Sequence, residues 1–143
     1  MQPTTSIAHA EVIAYAAAAA RGDVLPVCMR LTSARAAADW SLRTHLVRKV
    51  GPACDAVALD RAVDFMPEAP EPRLLRAGRA IAAANAAVTS CASTARAWLA
   101  CAREDLVVAA RLDPMDPTAR ALLAEIVGAH AWAAHSGHHK CAA

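Results

Sequence analysis

The chain has 143 residues, of which 57% are apolar and only 3% aromatic, because about 40 of them are alanine. A net charge of +2 and a high apolar content exclude a disordered chain and give no long-range pull toward nucleic acid or an acidic surface. Five glycines and few β-branched or aromatic residues exclude strand-rich folds. The expected class is therefore all-α, with five to six antiparallel helices forming a bundle or a short stack of αα-hairpins.

Thr4, Thr5 and Ser6 offer N-cap oxygens for a first helix that runs to Arg21 and is closed by Gly22. Asp23 caps a second, longer helix over residues 24–50, with Pro26 accommodated in its first turn. Gly51–Pro52 is a stop followed by a start. The third helix, residues 52–66, places Val57, Leu59, Ala62, Val63 and Met66 on one apolar face, with Asp55, Asp60, Arg61 and Asp64 mostly off it. The run Pro67-Glu-Ala-Pro70-Glu-Pro72 cannot remain helical, and a fourth helix follows over residues 71–88.

The hydroxyl-rich stretch Thr89-Ser90-Cys91-Ala92-Ser93-Thr94 predicts a turn. A fifth helix, residues 93–112, repeats Ala95, Trp98, Ala102, Leu106, Ala109 and Leu112 at three- and four-residue steps. Asp113-Pro114-Met115-Asp116-Pro117 breaks it and caps a sixth helix, residues 117–135, which is apolar on nearly every side and so expected at the centre. Ser136–Gly137 ends the order. The domain reading is one helical unit, residues 1–135, and a flexible His/Cys-containing tail, residues 136–143.

Residues 1–20 contain no Lys or Arg, so the basic start of a secretory signal is missing. No apolar stretch reaches the roughly 18–20 residues that span a bilayer. With no export signal, Cys28, Cys54, Cys91, Cys101 and Cys141 read as reduced thiols, mostly small core residues, and the expected location is the cytoplasm. Thirteen arginines against two lysines, beside so much alanine, match the usage of a GC-rich bacterial genome.

Two of the breaks match each other. Ala62-Val-Asp-Phe65-Met-Pro67-Glu-Ala-Pro70 aligns without a gap on Ala109-Ala-Arg-Leu112-Asp-Pro114-Met-Asp-Pro117, an offset of about 47 residues. An apolar helix end, then x-Pro, then a second proline opening the next helix is the hinge of an αα-hairpin. Ala102, Leu106, Ala109 and Pro114 resemble the second-helix pattern of a tetratricopeptide repeat, and Leu123–Ala124 falls where the next first helix carries its large–small pair. Leu74, Ala77, Gly78 and Ile81 are similar to the first-helix pattern. The resemblance covers about half the chain; the offset exceeds the family's 34-residue period, and its first-helix Trp and Tyr are absent. It implies a superhelical stack whose concave surface binds peptides or proteins. A thinner likeness links Trp98–Leu106 to the opening helix of HEPN domains, but that family's nuclease motif of Arg, four to six residues, then His does not occur here.

The chemistry-bearing oddity is the C-terminal run His130-Ala-Trp-Ala-Ala-His135-Ser-Gly-His138-His139-Lys-Cys141. Imidazole and thiolate suit zinc, nickel or copper, and His135, His138 and His139 would share one face of a continued helix. Gly137 and the absence of a neighbouring carboxylate to orient an imidazole favour a solvated tail. Five glutamates, none followed three residues later by histidine, exclude a di-iron bundle. No Gly-rich phosphate loop, nucleophile elbow, Cys-x-x-Cys or His-Glu-x-x-His is present, so no catalytic and no cofactor-binding residue is indicated.

Arg73, Arg76 and Arg79 step by three, and Arg43, Arg48 and Lys49 cluster near residue 48. Without interleaved aromatics these read as solvated faces paired to Glu68, Glu71 and nearby aspartates, not as a nucleic-acid surface. Trp40, Trp98 and Trp132 read as helix-packing residues, and His9 and His45 as ordinary polar positions. The leading expectation is a non-enzymatic module, a scaffold or regulator that binds a protein or peptide, with no nucleic acid, membrane or cofactor. The alternatives are a metal-binding bundle using the histidine tail and an antitoxin- or immunity-like bundle.

Overall fold

In the computed structural model, which describes the backbone of residues 3–135 and the side chains of residues 9–129, the described residues form seven α-helices and no strand. These are α1 (Pro3–Ala20), α2 (Leu25–Ala36), α3 (Trp40–Val50), α4 (Ala56–Phe65), α5 (Pro70–Ala87), α6 (Ala92–Leu112) and α7 (Pro117–His135), with a 3₁₀ turn at Gly51–Ala53 joining α3 to α4. The all-α expectation holds, and the chain breaks its helices after Ala20, Val50, Phe65, Ala87 and Leu112, at the punctuation in the sequence. Gly22 closes α1 at φ +92°, a conformation that costs glycine nothing. Its N–H donates to Ala19 O at 3.0 Å while Asp23 N–H donates to Ala18 O at 3.0 Å, the paired bonds of a Schellman ending. Asp39 and Asp55 cap α3 and α4 by accepting from the amides of Leu42 and Ala58, at 3.2 and 3.0 Å.

The helix expected over residues 24–50 is two helices. The break sits in Ala36-Ala37-Ala38-Asp39, where Ala38 adopts φ +55°. Ala38 N–H donates to Arg35 O at 3.0 Å and Asp39 N–H to Ala34 O at 2.8 Å. This repeats the ending at Gly22, with alanine in the left-handed position that normally takes glycine. Ala38→Gly is accordingly expected to raise stability by about 1 kcal/mol, read as a higher midpoint in urea denaturation; an unchanged or lower midpoint would show that the turn is not strained.

Helix α5 occupies the centre, touching α2, α3, the 3₁₀ turn, α4 and α6. Leu74, Leu75, Ala77, Gly78, Ala80, Ile81 and Ala84 are buried along it. The central place expected for the last helix is corrected here. Along the described part of α7, Leu122 and Ile126 are buried but Val127 is 67% exposed, and the helix packs mainly on α6 and α3. Being apolar all round therefore reflects alanine content, not depth.

Small residues let backbones meet. A Cβ on Gly78 would lie 2.5 Å from the Val47 carbonyl oxygen, and one on Gly51 would lie 2.8 Å from the Leu75 carbonyl oxygen. The end of α3 and its 3₁₀ turn thus lie directly on the backbone of α5. Larger side chains fill the space around this contact, with Leu31, Leu46, Leu59, Leu74, Leu75 and Leu106 fully enclosed, at about 1.5–3 kcal/mol of favourable transfer for each.

Cys28 and Cys54 are buried free thiols, as expected of core cysteines, and Cys101 is free but exposed. Cys91 is disulfide-bonded, which corrects the reading of five reduced thiols. Among the described residues no helix is long and apolar enough to cross a membrane.

Candidate functional site

The two proline breaks are one turn built twice. Met66 N–H donates to Ala62 O at 2.9 Å, and Asp113 N–H to Ala109 O at 3.0 Å. Ala69 N–H then donates to Met66 O at 3.1 Å, and Asp116 N–H to Asp113 O at 3.2 Å. Met66 and Asp113 hold similar backbone angles, φ −125°, ψ 64° and φ −139°, ψ 87°, and Pro70 and Pro117 each open the following helix. The gapless pairing of the two stretches therefore extends to their backbone hydrogen bonds.

Both turns deliver a carboxylate to Arg43, which is fully buried on α3. Its Nε donates to Asp116 Oδ2 at 3.0 Å, and Nη1 donates to Leu31 O at 2.7 Å. Its Nη2 lies 2.9 Å from Asp116 Oδ2 and 2.8 Å from Glu71 Oε2. Asp116 also caps α7, accepting from the Thr118 amide at 2.9 Å, and Glu71 sits in the first turn of α5, where the unsatisfied amides of a helix start favour an anion. Arg35, 30% exposed, approaches Glu71 Oε2 at 3.5 Å and Asp113 Oδ2 at 3.4 Å. The expected solvated role for Arg43 is thus replaced by a buried ion cluster that joins α2, α3 and the starts of α5 and α7.

Two of the three arginines in the row on α5, Arg73 and Arg76, are also paired, though not with Glu68 or Glu71. Arg76 forms a two-pronged pair with Asp105 of α6, at 2.8 and 2.7 Å, and reaches Asp60 of α4 at 3.1 Å. Its bond to Asp105 raises the guanidinium pKa further, against the opposing effect of burial. Arg73 approaches the same Asp105 at 3.5 Å, and Arg48 pairs with Glu125. Arg73 and Arg76 thus tie α5 to α6, Arg76 also ties it to α4, and Arg48 ties α3 to α7.

The first turn carries the open surface. Three depressions meet at Met66. One, about 330 Å³, lies between α2 and the start of α5, with Cys28, Met29, Thr32 and Glu71 in its wall. A second, about 660 Å³, lies between the start of α2 and α4, beside Leu25 and Phe65. The third, about 560 Å³, follows the hinge past Arg35, Pro67 and Glu68. Around them Phe65 is 87% exposed, Met29 62% and Leu25 53%. The sequence reading assigned no role to these three. The signal that was available is Phe65 itself, the only phenylalanine, which falls off the helix face that buries Leu59, Ala62 and Val63.

Burial pushes the Cys28 thiol from 9.0 up to about 12, with the Glu71 charge and Cys54 acting in the same direction. Burial likewise takes Cys54 to about 12, against the opposing charge of Arg79. A raised folded-state value means these neutral thiols stabilise fully below about pH 9 and lose that contribution as pH climbs toward 12. The urea midpoint is expected to fall through that window, and to fall less in the Cys28→Ala/Cys54→Ala variant. Equal slopes for the two proteins would refute the assignment.

His135 is the last residue of α7 whose backbone is described, but its side chain, like His138 and His139 and the rest of the proposed zinc, nickel or copper site, lies outside the described residues. Among the described residues no group of three or more His, Cys, Asp or Glu side chains is placed to hold a metal ion. No model of a known protein family, no curated protein and no solved structure matches the chain.

Proposed function

We propose that the chain is a non-enzymatic interaction module that docks a partner protein on the apolar surface around Met66. The observation that carries this reading is the grouping of Phe65, Met29 and Leu25, each more than half exposed, along three adjoining depressions. Scattered apolar side chains need no explanation, but a contiguous patch in a concave setting marks a binding surface. Phenylalanine and methionine are also the residue types enriched where proteins meet. The surface is held rigid from behind, because the hinge that bears Phe65 and Met66 continues into Glu71, whose carboxylate meets buried Arg43.

The duplicated hinge supports, within this proposal, a helical-hairpin repeat of the tetratricopeptide kind as the source of the surface. A cytoplasmic setting belongs to it as well. The buried free thiols of Cys28 and Cys54 support that setting, and the disulfide at Cys91 is the feature that points the other way.

The test is photo-crosslinking in the producing cell, with benzoylphenylalanine placed at Phe65, at Met29 and, as a control, at exposed Arg103 on α6. Phe65 and Met29 should yield the same discrete protein adduct, absent at Arg103. No adduct, or the same adducts from all three positions, would refute the reading.

A further inference from the structure

Glu71 is 3% exposed, yet it forms part of the wall of the 330 Å³ cavity between α2 and α5. Its Oε2 takes no hydrogen bond of normal geometry, although both guanidiniums make their nearest approach to that atom, Arg43 at 2.8 Å and Arg35 at 3.5 Å. Asp116, by contrast, is fully engaged by Arg43 and the Thr118 amide. At formal charges the cluster sets Arg35 and Arg43 against Glu71, Asp113 and Asp116, two positive against three negative. The cluster thus carries a net negative charge with little solvent around it, and Glu71, paired to Arg43 by charge but without a well-aligned hydrogen bond at Oε2, is the carboxylate that borders the cavity.

We propose that this cavity binds an aliphatic ammonium group, and that its occupant is a lysine side chain of the docked partner, an inference that rests on the interaction reading above. The lining fits that group. Leu25, Met29, Met66 and Pro72 supply apolar surface for a four-carbon stem, while Thr32 and Ser33 bring hydroxyl groups to the same lining as Glu71. An ammonium has three donors and needs several acceptors around one point, and its stem is best covered by apolar walls. A guanidinium, planar and forked, gains most from a carboxylate with both oxygens free, and here Oε2 already faces two arginines. Among the described residues the site lacks the three ligating side chains a metal ion would need.

The probe is n-butylammonium, followed by NMR of the Met29 and Met66 methyl groups in the intact chain. Saturable shifts at both methyls are expected, with at least tenfold weaker binding of n-butanol, which has the stem without the charge. Glu71→Gln should abolish the response. Because that change also touches Arg43, Thr32→Phe provides a second variant that fills the cavity and leaves the ion cluster intact; it too should abolish binding while thermal melting confirms the fold. No saturable shift in the unaltered protein, equal binding of butanol, or retained binding in either folded variant would overturn the site. A partner crosslinked at Phe65 without butylammonium binding overturns the lysine anchor alone. Butylammonium binding with no crosslinked partner upholds the ammonium site and overturns the partner's lysine as its occupant.

Discussion

Arg43→Ala is expected to lower the unfolding free energy by about 3–5 kcal/mol, the largest loss from any single substitution on the surface of α3 that faces the hinges. The reason is not the bonds removed so much as the charges left behind. Asp116 and Glu71 are 1% and 3% exposed, and without the guanidinium two neighbouring carboxylates are left with too little water to replace it. Arg43→Lys should recover only part of the loss, since one ammonium cannot meet Asp116, Glu71 and the Leu31 carbonyl from three directions as the guanidinium does. The combined variant Arg43→Met, Glu71→Gln, Asp116→Asn should regain most of it, because removing all three deeply buried charges of the cluster is far less harmful than removing one. Urea denaturation with unchanged m-values checks all three. A loss below about 1 kcal/mol for Arg43→Ala would place the cluster among solvent-screened surface pairs and sink the argument.

Gly78→Ala is the second large expected effect. One added methyl group on α5 would stand 2.5 Å from the Val47 carbonyl oxygen and 3.2 Å from Val47 Cγ1. The obstacle includes backbone, so the two helices must separate, and overpacking of this kind costs about 1–3 kcal/mol or more. Gly128→Ala on exposed α7 makes the same chemical change with nothing within 4 Å of the new atom, and should instead stabilise by about 0.5–1 kcal/mol. Opposite signs from one substitution type would separate the packing contribution from helix propensity. A loss at both positions, or a gain at both, would refute the close backbone contact.

The sequence carried the helices because prolines, glycines and capping aspartates are local signals, and local signals are sufficient to start and stop a helix. The start of the last helix was bounded from Asp116-Pro117 alone, and α7 begins at Pro117. The break after Ala36 was hidden by composition. Alanine is the strongest helix former, so three in a row read as continuation, and only Asp39 hinted at a new start. Arg43 was hidden for a different reason. Its partners lie 28 and 73 positions away in the chain, at Glu71 and Asp116, and nothing in its neighbours Leu42 and Thr44 distinguishes a buried arginine from a solvated one. The matching hinges were legible as letters, but their convergence on one side chain is a property of the packed molecule. Phe65 and Met29 were visible as apolar residues, and which side of α4 and α2 stays uncovered depends on where α5 lies.

The convergence of both hinges on Arg43 also has a kinetic consequence. Each helix, and each short turn between helices, can form from contacts close in sequence, and such contacts form quickly. The bond between Arg43 and Asp116 spans 73 residues and becomes available only after α5 and α6 have already been laid down between them. The ion cluster should therefore assemble after the folding barrier has been crossed, and Arg43→Ala should accelerate unfolding far more than it slows folding. In such a chain, one arginine would set the lifetime of the native state while leaving the speed of reaching it almost unchanged.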